Sequence, residues 1–559
     1  MGAAVNSLAK SAKYKAIQEH LSNFLLRRWS KQFGIAVSGG VDSMALAYLC
    51  SVSHIGSQFT GFIVDHGLRP ESSDEAAKVA EELERLKIRA RILKLDWSNY
   101  GQPKTLTNLE TVARTLRYQA LGKACYQERI PSMLVAHHAD DQAETVGVRV
   151  LSGYTGAGLR GIKDEVRFPS CEGVYGVDGS GWRDDPKPLR LSTEKGDLRI
   201  MRPLLSFSKD QLIGICRANG VHWFEDSTNT DKSLTMRNTV RSLLESDLLP
   251  TALQTPRLLK CSLAMRKRED IIEEAVQKVF DRTPMTLDLS IGHLTFFIDS
   301  QGVSHCLPDD PHQSDIKAHF LRRVLQNVSP QTEISLQTLD QATDVMLGDL
   351  TERTGGPQET QVAAVTIRRD NAIDQWTRRF SICRQNPSRL QRNTIVPFLF
   401  KADLESSTDS PGWSDWLLWD GRYWIRVTRA KMSADESIGV SFLTPERLAI
   451  ARKGLNLRQC TELRRLFRHA SRHGAEWTIP VVILQQADNV AVAALPTLGW
   501  QHPKCRDGTS PTGSFKYEVS YKEVAFEETE TYRIVSDINQ LTSRGSCLSN
   551  RQTDSPGTS

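Results

Sequence analysis

A chain of 559 residues has room for about three domains, and its 39% apolar and 25% charged residues fit a globular protein with a large core. No run approaches the roughly 18 apolar residues that span a bilayer, and a net charge of +5 is too small to make the whole surface a nucleic-acid binder, so any such surface must be a local patch. Ten cysteines with no C-x-x-C pair argue for reduced thiols inside a cell and against a structural zinc or iron–sulfur site.

The first 33 residues carry Lys10, Lys13, Lys15, Arg27, Arg28 and Lys31 against one acid, Glu19. That composition suits a mitochondrial presequence. Tyr14, Ile17, Leu21, Phe24 and Leu25 also fall on one helical face and suit the first helix of the domain that follows. The expected compartment is accordingly the mitochondrial matrix or the cytoplasm.

Residues 34–50 read GIAVSGGVDSMALAYLC. Ile35, Ala36 and Val37 form a short apolar run of the buried-strand kind, residues 38–43 turn the chain, and residues 44–49 continue as an apolar helix. Strand, glycine turn and helix present unpaired backbone N–H groups to an anion. Gly39 and Gly40 let backbone approach phosphate oxygens, Ser38 and Ser43 can donate hydroxyl bonds, and Asp42 can hold a phosphate-bound Mg²⁺. The lysine of a G-x-x-x-x-G-K-[ST] loop is absent. The competing reading is a plain glycine turn with a capping Ser or Asp.

Further strands are expected at 59–64, 91–95 and 133–136, alternating with helices from Ser73 to about Leu86, over 108–129, and from about Asp140 to Leu151. This alternation predicts an α/β fold, a parallel sheet flanked by helices in a Rossmann-like arrangement. Ligands of such sheets sit beyond the strand carboxyl ends, so the polar clusters at 38–43, 65–69 and 137–141 are expected to meet in one crevice. Residues 163–199, rich in Gly, Pro and Asp, read as a long surface insertion. Residues 202–205 re-enter the core; Ser208 caps a helix over 209–219, Gly220 ends it, and a helix from Leu234 carries Arg237, Asn238 and Arg241.

Pro250 is expected to close a first domain spanning 33–250, after an N-terminal helix at 1–32. A mainly helical connecting domain is expected over 251–395, with a loop at 355–357. Short strands follow in a smaller α+β domain at 396–535, including a hairpin with an Asp-Gly turn at 416–425 and strands at 479–483 and 490–493. Residues 451–473 carry Arg452, Lys453, Arg458, Arg464, Arg465, Arg468 and Arg472 against one acid, Glu462. The Ser/Gly/Thr-rich tail at 536–559 is expected to be disordered.

In order, SGGVDS (38–43), VDHGLR (64–69), NLETVARTLRY (108–118), AHHADDQAET (136–145), GLRG (158–161), RPLL (202–205) and WFEDSTNTDKSLTMRN (223–238) closely resemble the tRNA(Ile)-lysidine synthetase family of PP-loop, N-type ATP pyrophosphatases. The resemblance covers about 33–250 and is specific as a set. WDGRYW, the basic helix, TIPVVIL and VAALP resemble the family's C-terminal tRNA-binding region more faintly, and the insertion departs from the shorter bacterial pattern. The resemblance implies a ligase: ATP adenylates C2 of the wobble cytidine of a CAU-anticodon tRNA(Ile), releasing diphosphate, and free lysine then displaces AMP to give lysidine. It implies tRNA(Ile), free L-lysine, ATP and its Mg²⁺ as partners, no dedicated protein-held metal and no membrane insertion; a homodimer is a further expectation.

On this resemblance Ser38, Gly39, Gly40, Val41, Asp42 and Ser43 hold ATP, with adenine and ribose near Val64, Asp65 and His66. Asp65 and His66 read alone are equally a capped loop. Asp141 and Glu144, three apart at a helix start, match the family's acidic pair for lysine, and either can accept a proton as the amine attacks. Acids in a first turn also stabilise any helix. Arg114 matches a contact to the nucleotide or the adenylated base. Arg117, Arg237, Asn238 and Arg241 are candidate phosphate contacts, and Arg464, Arg465, Arg468 and Arg472 form the electrostatic footprint for tRNA, or a solvated face. One rival, a cluster-dependent tRNA thiolase, lacks its C-x-x-C. The others are a phosphoesterase binding two metals through Asp65, His66 and residues 137–141, and a non-catalytic tRNA-binding relative.

Overall fold

The computed structural model describes residues 2–28, 30–53, 55–101, 103–182, 191–196, 198–224, 236–246, 249–299, 312–347, 358–370, 377–400, 412–429, 436–486, 489–503, 515–529 and 531–536. The chain divides into two compact units, Met1–Trp182 with Gly196–Ile271, and Arg183–Lys195 with Ile272–Ser559.

The first unit is the expected α/β fold. Its elements run α1 (Gly2–Leu26), β1 (Gln32–Val37), α2 (Val41–Ser51), β2 (Gln58–Asp65), α3 (Ser72–Arg85), β3 (Arg89–Lys94), α4 (Leu109–Gln127), β4 (Ser132–Leu134), α5 (Ala139–Leu151), β5 (Glu165–Arg167), β6 (Arg199–Met201), α6 (Lys209–Ala218), α7 (Met236–Glu245) and α8 (Thr255–Arg282). The sheet order is β3-β2-β1-β4-β6-β5; all neighbours are parallel except edge strand β5, which runs antiparallel to β6. Side chains alternate between two covered faces. Phe33, Ile35, Val37, Ile63 and Leu134 pack with α1, α2, α3 and α6, while Phe62 and Met133 pack with Tyr118, Leu121 and Cys125 of α4.

Two expectations change here. Residues 163–199 are not merely a surface insertion: Phe168, Cys171, Val177 and Leu198 are buried on the α4 face of the sheet, and β5 extends the sheet itself. Within the second unit, Leu191 is buried and the Ser192 carbonyl accepts from Tyr521 N–H at 2.8 Å. The first domain also does not stop at Pro250, because the first unit runs on to Ile271, inside α8.

The second unit corrects the expectation of a mainly helical stretch over 251–395. After α8 come β7 (Met285–Asp288), β8 (His293–Asp299), β9 (Gln358–Val362), β10 (Val365–Arg369) and β11 (Thr377–Arg384), which with β20 (Tyr532–Val535) make a six-stranded sheet. Helices Gln313–Leu325 and Asp340–Leu347 supply Phe320, Leu321, Val324 and Leu347 to the core shared with Phe296 and Phe380 of β8 and β11. The physical reason is burial: β7 and β8 alternate apolar residues into this core and reverse at Gly292, whose φ is +61°.

Strands β12 (Val396–Pro397), β15 (Glu436–Phe442), β16 (Pro480–Gln486), β17 (Asn489–Leu495) and β18 (Trp500–Gln501) form a second sheet. Strands β13 (Leu417–Trp419), β14 (Tyr423–Arg429) and β19 (Phe515–Tyr521) form a third. The Asp-Gly hairpin is present: Asp420 and Gly421 both have positive φ, and Arg422 N–H donates to the Trp419 carbonyl at 3.1 Å. The basic segment is the helix Leu457–Arg472, capped by Asn456, whose side-chain oxygen accepts from Gln459 N–H at 3.0 Å. The loop expected at 355–357 lies outside the described residues, as does the expected disordered tail beyond residue 536.

Candidate active site

Strand β1 lies between β2, to which the chain proceeds, and β4, to which it returns after β3. The crevice outside the carboxyl ends of β1 and β4 is therefore a topological switch point. The 38–43 turn follows β1 and the 137–141 cluster follows β4.

The turn is built around Gly39, at φ +85°, where a Cβ would come within 2.7 Å of Val79 Cγ2. Its carbonyl accepts from Phe224 N–H at 2.9 Å. Gly40 is the N-cap of α2, and among the described residues no side chain caps that end. The first-turn N–H groups of Val41, Asp42 and Ser43 therefore lack intrahelical acceptors. Ser43 Oγ donates to the Gly40 carbonyl at 2.9 Å and accepts from Ser38 N–H at 3.2 Å, bracing the loop, while the Ser38 side chain is exposed. Asp42 sends Oδ2 to 3.6 Å from His138 Nε2; its Oδ1 is buried with no partner among the described residues. A buried carboxylate oxygen without a donor is costly, and it fits a cation ligand such as Mg²⁺.

His138 is the hub. Its Nε2 lies 3.4 Å from Asp141 Oδ2, and its Nδ1 lies 3.4 Å from Asp140 Oδ2. Burial disfavours the charged ring, but hydrogen bonds to Asp140 and Asp42 and the Asp141 charge outweigh it and lift His138 to about 9. The ring is thus an imidazolium near neutral pH. His137 is its opposite: burial and the neighbouring Arg202, Arg237 and Arg114 outweigh Asp141 and push it down to about 4. Neutral His137 accepts at Nδ1 from Arg202 Nε at 3.0 Å.

The acidic pair on α5 is brought together, and it is already engaged. Arg237 donates from Nη2 to Asp141 Oδ1 at 2.6 Å and from Nε to Glu144 Oε2 at 2.8 Å. Arg241 Nε donates to Glu144 Oε1 at 2.6 Å. These arginines reach carboxylates rather than standing free for phosphate; Asn238 sits half-buried between them on α7. Arg114 lies over the Tyr118 ring at 5.0 Å and faces His137 and Arg202. Arg117 lies beside His66, where burial first and this arginine second lower the imidazole pKa.

Asp65 is turned inward, accepting from Ser72 Oγ, from Ser73 Oγ at 2.7 Å and from Gly67 N–H at 2.9 Å. Burial opposes its charge, but these bonds prevail and hold the carboxyl below the usual range. Its side chain organises the loop at the end of β2, and His66 offers its carbonyl to Trp97 Nε1–H at 2.9 Å. Arg464, Arg465, Arg468 and Arg472 belong to the second unit, exposed on a helix whose other side buries Leu463, Leu466 and Ala470. Of the WFEDSTNTDKSLTMRN motif, residues 225–235 lie outside the described residues.

From the sequence, His137 and His138 have a role only in the rival two-metal reading, and Arg202 has none. The signal was a His-His-x-Asp-Asp run directly after a buried strand, with RPLL returning to the same sheet. The two-metal phosphoesterase reading is not favoured, because among the described residues Asp65, His66 and residues 137–141 do not bring three ligand atoms close enough to share an ion, and His137 Nδ1 is taken by Arg202.

A family model described as a PP-loop domain matches residues 13–248. The chain is 26% identical over 504 residues to a Schizosaccharomyces pombe protein named "Probable tRNA(Ile)-lysidine synthase", covering 87% of this chain and 96% of that one. It is 34% identical over 238 residues to the tRNA(Ile)-lysidine synthase of Bradyrhizobium sp. (strain BTAi1), covering 42% of this chain and 56% of the relative. It is 31% identical over 249 residues to that of Methylobacterium nodulans, covering 44% and 63%. These bacterial relatives are matched over less than two thirds of their own length, whereas the fungal one is matched almost end to end. Residues 13–248 thus match a PP-loop domain, and the chain is similar, almost end to end in the fungal case, to proteins named tRNA(Ile)-lysidine synthase.

Proposed function

We propose that this protein is an ATP-dependent ligase that joins free L-lysine to C2 of the wobble cytidine of a CAU-anticodon tRNA(Ile). The observation that carries the reading is the pair of motifs at the switch point: the uncapped glycine turn with the unpartnered Asp42 Oδ1, linked through His138 to the acidic pair on α5.

The first-turn N–H groups of α2 and the Ser38 hydroxyl bind phosphate oxygens, as a helix start does. Asp42 would hold the Mg²⁺ carried with ATP, and that ion would neutralise charge on the departing diphosphate. Imidazolium His138 fixes Asp42 and Asp141 relative to one another, so nucleotide and lysine subsites share one rigid hub. Arg114 faces the crevice from α4 and supports negative charge on the transferring phosphate.

In the first step the cytidine C2 oxygen attacks the α-phosphorus of ATP and diphosphate leaves. In the second the lysine amine attacks C2, the C2–O bond breaks, and AMP departs with that oxygen. The amine sheds a proton in forming the C–N bond, and Asp141 or Glu144 is placed to accept it. Arg117 and the arginines of the helix Leu457–Arg472 are proposed RNA phosphate contacts.

Labelled lysine incubated with ATP, the full chain and a CAU-anticodon tRNA(Ile) transcript is expected to enter the RNA. Incorporation no higher than with Asp42→Ala would overturn the reading.

A further inference from the structure

The proposed lysine subsite is occupied by the chain itself. Asp141 Oδ1 accepts from Arg237 Nη2, and Asp141 Oδ2 accepts from the His138 backbone N–H at 3.0 Å. Glu144 takes Arg237 Nε on one oxygen and Arg241 Nε on the other, and Arg241 Nη2 adds a bond to Oε2 at 3.2 Å. Every carboxylate oxygen of the pair therefore has a donor. Glu144 is 3% exposed, whereas the Arg237 and Arg241 side chains are 44% and 41% exposed. Glu144 is buried and Asp141 half-buried, while the cations covering them reach solvent.

Charge balance decides what lysine can do there. Two carboxylates and two guanidiniums cancel. A substrate ammonium added beside them finds no net negative charge and no free carboxylate oxygen to accept its N–H groups. Lysine must therefore replace a guanidinium, and the displaced guanidinium needs an anion of its own. The reaction supplies phosphate groups, on ATP and on RNA. Helix α7 can yield: Val240 is its one fully buried side chain among those described, so much of its hold on α5 is these ion pairs.

We propose that Arg237 and Arg241 are place-holding residues: they occupy the lysine subsite in the free enzyme and release Asp141 and Glu144 to lysine when phosphate groups of a bound ligand take the guanidiniums. This rests on the reading of Asp141 and Glu144 as lysine's acceptors. Its consequence is positive coupling between lysine and the phosphate-bearing ligand, equal in both directions. The same arginines serve first as lysine surrogates and then as phosphate contacts.

Equilibrium dialysis of labelled lysine against the full chain tests this in four arms: protein alone, with a non-hydrolysable ATP analogue, with the CAU-anticodon transcript, and with both. Lysine affinity is expected to rise about tenfold in at least one phosphate-bearing arm, and the arm that does so identifies the phosphate source. Arg237→Gln is expected to bind lysine tightly without any anion and to lose the coupling. Arg241→Lys, which keeps a charge beside Glu144, is expected to fall between the two and serves if Arg237→Gln melts early. Equal lysine affinity in all wild-type arms overturns the proposal. So does weaker lysine binding by Arg237→Gln in every arm, the result if the arginines only prop Glu144. Wild-type protein that joins lysine to tRNA without this coupling sinks only the place-holding role; protein that never joins them sinks the proposed function.

Discussion

The chemistry of the crevice turns on two adjacent histidines with opposite protonation. Folding raises His138 from the ordinary value of about 6.5 to about 9, so the native state holds its proton more tightly than the unfolded chain. Its stabilisation is whole below about pH 6.5 and disappears as pH rises through about 9. His137 is pushed down to about 4, so the native state prefers it neutral and stability falls as pH drops from about 6.5 towards 4. Urea melts of the wild type and His138→Gln between pH 6 and 10 check the first: the variant is expected to lose the alkaline decline, and an unchanged decline would contradict the assigned charge. The same melts with His137→Asn between pH 4 and 7 are expected to show a flatter acid limb.

Helix α1 and the glycine turn decide how much of the fold the first forty residues carry. Ile17, Leu21 and Leu25, four residues apart, are fully buried against the sheet with Phe33 and Ile35. A targeting segment removed as far as residue 33 would strip that face. Leu21→Ala is expected to cost about 2–5 kcal/mol in a urea titration. Gly39→Ala forces a side chain onto Val79 at positive φ and is expected to weaken nucleotide binding in a titration with an ATP analogue. The β1–α2 turn was legible because one apolar run, two glycines and one apolar helix stand together. The β7–β8 hairpin was not: it follows the long helix α8, and β7's parallel partner β20 comes from the far end of the chain. Residues 163–199 misled for a related reason, since Phe168, Cys171 and Val177 bury from a glycine-rich segment with no period to read.

Across the whole molecule, the first unit was readable from its succession of strands and motifs, and the second largely was not, because its sheets pair strands far apart in sequence. What did show there was local: the Asp-Gly turn, the basic helix and the strands expected at 479–483 and 490–493, which fall on β16 and β17. The turn proves structurally costly to alter, because Asp420 accepts from Arg422 Nε at 2.8 Å and Arg384 Nε at 3.2 Å while Arg422 is fully buried. Asp420→Ala leaves two buried guanidiniums without their counter-ion and is expected to cost about 3–5 kcal/mol, measured by denaturant melts. If the helix Leu457–Arg472 contacts RNA as proposed, Arg464→Gln with Arg468→Gln is expected to reduce the slope of log affinity against log salt by about 0.7–0.9 per lost contact. An unchanged slope would return those arginines to a solvated face.

The lysine-less glycine turn is proposed to hold a triphosphate so that its α-phosphorus passes to an RNA base. This is tested most directly by incubating the full chain with CAU-anticodon transcript and ATP labelled at the α-phosphate, in the absence of lysine. Label is expected on the RNA with the wild type, to be released as AMP when lysine is added, and to be absent with Asp42→Ala. Label on the RNA from γ-phosphate-labelled ATP instead, or equal α-label with Asp42→Ala, would contradict it.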